Sequence, residues 1–216
     1  MDVTEAVNRR KSIRAFRPDP VDDDTLRDLV VAAARAPSGG NVQPWRIYVV
    51  NGESMARFRE FIAERQPGEP AYEIYPKGLT EPYRTSRYRI GEQMYESIGI
   101  ERDDKAGRRR QFAKNLDFFG APAAIFCFVD RRMGPPQWSD LGMYLQTFML
   151  LAQEAGLDTC PQEAWAVHEA AVSEFVGAPE ELGIFCGVAI GHADRDDPIT
   201  SVESEREPFD VFATVV

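Results

Sequence analysis

The chain has 216 residues, 44% of them hydrophobic and 28% charged, with a formal net charge of −10 at pH 7. That length fits one domain spanning 1–216 with a sizeable core, the composition excludes wholesale disorder, and no run nears the roughly 20 apolar residues of a membrane span. So acidic a chain is a poor partner for nucleic acid or an anionic membrane, and with Asp2 and Glu5 where a signal-peptide core would lie, a cytoplasmic protein is expected.

Asp2-Val3-Thr4-Glu5 resembles a capping box and predicts a short helix to about Arg9. From Arg9 to Arg17 the chain then carries Arg9, Arg10, Lys11, Arg14 and Arg17 with no acid. By charge alone a solvated helix end is the simpler account of this stretch, and a small anionic ligand the sharper one. Phe16-Arg17-Pro18-Asp19-Pro20 must be extended or turning. Asp22 or Asp23 caps a second helix with Leu26, Leu29, Val30, Ala33 and Ala34 on one face, ended by Pro37–Asn41. Trp45–Val50 reads as a strand. A third helix is expected from Ser54 to about Arg65.

Residues from about 66 to 115 read as a loop followed by one or two polar helices over the core, a length that marks a lid. Pro122–Val129 is a second, buried strand. Residues 137–156 form the strongest helix, apolar on nearly all sides and therefore central or at a subunit interface. A further helix is expected from His168 to Gly177, and Gly183–Gly191 is a third strand. Gly183, Gly187 and Gly191 recur in it at intervals of four, which close backbone packing explains. The tail, Phe209–Val216, is apolar and strand-like, suited to pairing with another subunit. Strands separated by long helical stretches predict an α+β fold with a mostly antiparallel sheet covered by helices.

Much common chemistry is missing. No Gly-x-Gly-x-x-Gly follows a strand, no Walker sequence occurs, and His168 and His192 stand apart without clustered ligands, so neither a Rossmann site nor a bound metal is expected. Cys127, Cys160 and Cys186 offer no disulfide framework, which fits a reducing compartment. Cys127 and Cys186 read as core residues. Cys160 reads as lying in a loop with nothing nearby to activate it.

Three separated segments carry a recognisable pattern. Arg10-Lys11-Ser12-Ile13-Arg14-Ala15-Phe16 offers planar guanidinium forks and a hydroxyl, donors suited to phosphate oxygens. Ala36-Pro37-Ser38-Gly39-Gly40-Asn41-Val42-Gln43-Pro44-Trp45 combines glycines that let backbone approach a flat ring with amides that both donate and accept, suited to the mixed polar edge of such a ring. Gly156-Leu157-Asp158-Thr159-Cys160-Pro161-Gln162-Glu163-Ala164-Trp165 follows the long helix. Together they resemble the nitroreductase family, over a stretch from about residue 5 to the C-terminus with 66–115 as the unmatched exception. A weaker match places Arg206 as a closing base, with Ser204 where a second basic residue is usual.

The resemblance implies a nitroreductase-like FMN-binding fold in an intertwined homodimer whose two sites draw on both chains. It places Arg10, Lys11, Ser12, Arg14 and Arg206 around the flavin phosphate, with Lys11 able to make up for Ser204. Pro161, Gln162, Glu163 and Ala164 lie over the flavin ring, the backbone amide of Glu163 facing N5. Pro37, Ser38, Gly39, Asn41 and Gln43 serve the partner's flavin, and the tail at 209–216 is exchanged between subunits. The implied reaction is ping-pong: NAD(P)H reduces FMN, then a nitroaromatic or quinone-like acceptor takes its place. The cofactor carries this chemistry, and no side chain is assigned as catalytic. Dehalogenation, dehydrogenation or flavin cleavage on the same fold, and flavin binding without turnover, stand as alternatives. In the lid, Tyr72, Tyr75, Tyr83, Tyr88 and Tyr95 supply flat area, while Arg84, Arg87 and Arg89 raise the question of a preference for anionic aromatics such as nitrobenzoates, against the plainer account of a solvated helix.

Overall fold

The computed structural model describes residues 1–216. Its centre is a four-stranded, wholly antiparallel sheet in the order β1 (Arg46–Asn51), β2 (Ala123–Asp130), β4 (Leu182–Gly191), β3 (Asp158–Gln162). Strand β2 is buried along Ala123–Val129 because it is covered on both faces. Ala124, Phe126 and Phe128 point into one core, and Ala123, Ile125, Cys127 and Val129 into the other, as a period of two requires. On β4 the parity changes at a bulge opposite Cys127 and Phe128, so that Ile184 joins the first core and Cys186, Val188 and Ile190 the second.

The first core is aromatic. Phe58 of α3 (Gly52–Ala63) meets Phe118, Phe126, Trp165 and Phe175 with ring centroids 5.0–5.9 Å apart, and α7 (Glu169–Val176) closes that side. The second core lies under α2 (Asp23–Ala33) and α6 (Pro135–Glu154), where Trp45 stacks on Tyr144 at 5.0 Å. Helix α1 (Val3–Arg9) packs on α6, and Asp2 caps it by accepting from the Glu5 amide. Asp22 caps α2 in the same way through Thr25. The two polar helices of the 66–115 stretch are α4 (Tyr83–Ser97) and α5 (Lys105–Ala113).

Two sequence expectations are corrected. The segment around Cys160 is a strand, not a loop: β3 pairs Asp158–Gln162 with Gly187–Gly191. The tail is not strand-like. After Pro208 it makes one helical turn, α8 (Phe209–Phe212), in which Phe209 and Phe212 meet edge-on at a helical spacing of three. The sheet edges are β1 and β3, and the tail pairs with neither.

The recurring glycines are where bulk is forbidden. A Cβ on Gly187 would stand 2.3 Å from Cδ1 of the buried Trp165, and one on Gly191 2.7 Å from the Pro122 ring.

Candidate functional site

Strand β3 has β4 on one side only, and its free side is taken by the N-terminal basic segment. Ser12 forms a parallel bridge with Thr159, and the Ile13 amide donates to the Thr159 carbonyl at 3.0 Å. Further on, Phe16 donates to the Phe119 carbonyl and Arg17 to the His192 carbonyl. These bonds lay Arg10–Phe16 beside Thr159–Ala164, so the first and third sequence motifs become neighbours although nearly 150 residues separate them.

Two cavities result, and Arg14 lines both. The first, about 600 Å³, is walled by Arg10, Lys11, Ser12 and Arg14 on one side and by Val202–Ser204 and Arg206 on the other. Its cations are unequal. Lys11 is neutralised by Glu203 at 2.7 Å, a contact that holds the Glu203 carboxyl below its usual range. Arg10, Arg14 and Arg206 have no carboxylate partner. Arg14 donates to the Ser12 carbonyl, and Arg206 to the Ser204 hydroxyl at 2.7 Å and to backbone carbonyls. Burial, and next the positive charge of Arg206, push the Arg10 pKa down. Three guanidiniums around a polar hollow whose one carboxylate, Glu203, is taken by Lys11 form a receptor for an anion. Ser204, which stands where the family pattern has a base, orients Arg206.

The second cavity, about 390 Å³, lies against Pro161, Gln162, Glu163 and Ala164. Tyr75, Met94, Phe112 and Phe119 give it flat apolar walls. Phe118 and Phe119 both have left-handed backbone, φ 49° and 56°, a strained state for bulky residues. The turn sets Phe119 against the cavity while its carbonyl receives the Phe16 amide. Gln162 donates to the carbonyl and side-chain oxygens of Asn115, yet its own buried Oε1 lacks a partner. A buried polar atom left unsatisfied on a cavity-lining residue fits a site built for a ligand with donors. Cys160 beneath it is fully buried, and burial raises its thiol to about 11. It is therefore an inert core thiol rather than a nucleophile.

Pro37, Ser38, Gly39, Asn41 and Gln43 line neither cavity. Their loop is anchored to α6, the Gly39 amide donating to the buried Asp140 carboxylate at 3.3 Å and the Gln43 amide to the Ser38 hydroxyl at 3.0 Å. Gly40, Asn41 and Gln43 are all left-handed, at φ 57°, 57° and 49°. Within one chain nothing uses this strained turn. Residues that sequence reasoning missed are Asn115, Phe119, Gln111 and Met94, from the stretch without motifs and just beyond it. The Phe118-Phe119-Gly120 run was the one local signal, since a glycine after two aromatics marks a turn.

A model of the nitroreductase family matches residues 7–192. Among curated relatives, 4-nitrobenzoate reductase of Pseudomonas putida is 34% identical over 95% of this chain and 92% of its own length. Chloronitrobenzene nitroreductase of Comamonas testosteroni is 31% identical over 99% and 96%. Among solved structures, the FMN and NADPH-dependent nitroreductase NfnB of Sphigopyxis sp. strain HMH superposes with a TM-score of 0.96 at 44% identity, covering 100% of this chain and 99% of that one.

Proposed function

The chain belongs to the nitroreductase family, and from that premise we propose that it is an FMN-dependent oxidoreductase that oxidises NAD(P)H and reduces nitroaromatic compounds. The observation that carries this reading is the set of three guanidiniums without a carboxylate, gathered around Ser12 and joined through Arg14 to a flat apolar cavity. Relatives named for nitrobenzoate and chloronitrobenzene reduction support the substrate class, and the FMN and NADPH of the structural relative support the cofactor and reductant.

In this reading Arg10, Ser12, Arg14 and Arg206 hold the flavin phosphate, while Lys11, tied to Glu203, closes the rim. Pro161, Gln162, Glu163 and Ala164 hold the ring side, Gln162 offering its unpartnered carbonyl oxygen to a donor. When bound, FMN supplies hydride acceptance from NAD(P)H and electron delivery to the acceptor in two half-reactions. Tyr75, Phe112 and Phe119 exclude water and present flat faces to an aromatic acceptor. Residues 66–115 serve as the lid.

A homodimer belongs to the same proposal. Val3, Val7, Met143, Phe209, Val211 and Phe212 are exposed, which a lone protomer does not explain. The strained Pro37–Gln43 loop gains a purpose if it enters the partner's site, and the exposed tail gains one if it wraps the partner. A single domain spanning 1–216 and a cytoplasmic location, consistent with three unpaired cysteines, complete the reading.

The test is the spectrum of the purified protein. Oxidised-flavin absorption, bleached anaerobically by NADPH or NADH and restored by a nitroaromatic, is expected. A protein that stays colourless after reconstitution with FMN refutes the reading. Bleaching that nitro compounds cannot reverse assigns the fold to another reaction.

A further inference from the structure

Of three arginines spaced along the start of α4, two are spent. Arg84 pairs with Glu81 at 2.6 Å and Arg89 with Glu205 at 2.8 Å. Arg87 has neither an ion pair nor a hydrogen bond. Its guanidinium lies over the ring of Tyr75, 4.0 Å from the centroid, and both residues line the cavity against Pro161–Ala164. Stacking fixes the plane of a guanidinium and leaves its edge N–H donors unused. The cavity's one carboxylate, Glu163, makes no ion pair with it. The second arginine there, Arg14, is shared with the anion hollow and turned toward the Ser12 carbonyl. Arg87 is thus a preoriented fork of donors, without an anion, on the wall of a slot shaped for an aromatic ring.

We propose that Arg87 reads a carboxylate on the aromatic acceptor, so that the enzyme prefers nitroarenes bearing a ring carboxylate to neutral nitroarenes. Planar guanidinium and planar carboxylate pair in two parallel hydrogen bonds, and the ring stacked beneath Arg87 keeps the entropy lost on pairing small. The role is substrate selection, not bond making, and it rests on the nitroreductase reading of the site.

The test compares kcat/KM for 4-nitrobenzoate and nitrobenzene on holoenzyme at saturating NADPH and low salt. In the unaltered enzyme the ratio is expected to be well above one. In Arg87→Gln it should fall roughly two- to fivefold, the discounted value of a solvent-accessible charge pair, with the change in KM for the carboxylate rather than in kcat. Arg87→Lys should keep part of the ratio. Arg84→Gln, whose arginine is bound to Glu81 outside the cavity, should keep all of it. Added salt should lower the ratio in the unaltered enzyme and leave it flat in Arg87→Gln. A ratio near one, or a ratio that survives Arg87→Gln, overturns the proposal and leaves the nitroreductase reading standing. An enzyme that bleaches with NADPH yet reduces neither compound sinks both.

Discussion

Arg10 is half-buried, has no carboxylate, and lies in the field of Arg206. Such an arrangement works against the empty protein and in favour of a bound anion. Arg10→Gln should therefore weaken FMN binding roughly ten- to a hundredfold, the effect of losing one charge-assisted hydrogen bond of about 1.5–3 kcal/mol. The apoprotein should melt no lower than the unaltered one. Flavin-fluorescence titration and thermal melts read the two effects separately, and a marked fall in apoprotein Tm would make Arg10 a structural residue instead. The cysteines supply a pH dependence. Burial holds the Cys160 thiol at about 11, above the free-thiol value of about 8.5. The unfolded chain therefore releases this proton first as pH rises. The contribution is complete below about pH 8.5 and lost progressively on the way to 11. Urea midpoints should fall across that window, and less steeply for Cys160→Ala. An equal slope in both proteins would assign the alkaline loss to other groups. At this scale the sequence was legible through the family pattern: Arg10, Ser12 and Arg14 line one hollow, as the resemblance implied. It was silent on which cations are free. Whether Lys11 or Arg87 is paired depends on where Glu203 falls and on Arg87 stacking over Tyr75 instead of meeting a carboxylate, both set by long-range packing.

At the scale of elements, β3 was the strand least visible in the sequence and the one on which the site depends. It is short, contains Pro161, and shows no run of β-branched residues. Proline is tolerated because β3 lies at a sheet edge, paired with β4 and met on its other side by the Ser12 bridge. What fixes β3 is partly polar. The Asp158 carboxylate accepts from the Ala193 amide at 3.0 Å, from Arg195 at 2.9 Å and from Gln153 at 3.2 Å, a network with no sequence signature. The glycines of β4 were legible, and their reason is now concrete. Gly187 pairs with Gln162 and gives Trp165 the space its ring occupies. Gly187→Ala forces that buried ring to move, so a loss of about 1–3 kcal/mol is expected from overpacking, visible as a lower urea midpoint at unchanged slope. Because the displaced ring follows directly on Pro161–Ala164, FMN affinity should fall as well. A variant with full stability and full affinity would mean that Trp165 has room to shift.

For the whole molecule, the second motif decides the matter. Pro37–Gln43 was the most specific segment of the sequence, yet in one protomer it lines neither cavity and stands as a left-handed turn pinned to Asp140. The family resemblance assigns such residues to a flavin site without recording in which copy. On the proposed dimer, each site takes its phosphate cradle from one chain and its loop from the other. Complementation tests this directly. Arg10→Gln disables the cradle, Asn41→Ala disables the loop, and each homodimer should bind FMN weakly at both sites. When the two chains are unfolded together and refolded, random pairing makes half of the dimers mixed, and each mixed dimer has one site with both lesions and one with neither. About a quarter of all sites should therefore regain full affinity. If cradle and loop acted within one chain, every site in every dimer would carry one lesion, and mixing would restore nothing. Recovery of tight flavin binding on co-refolding, and its absence when the variants are combined without unfolding, separates exchange of chains from an effect of concentration.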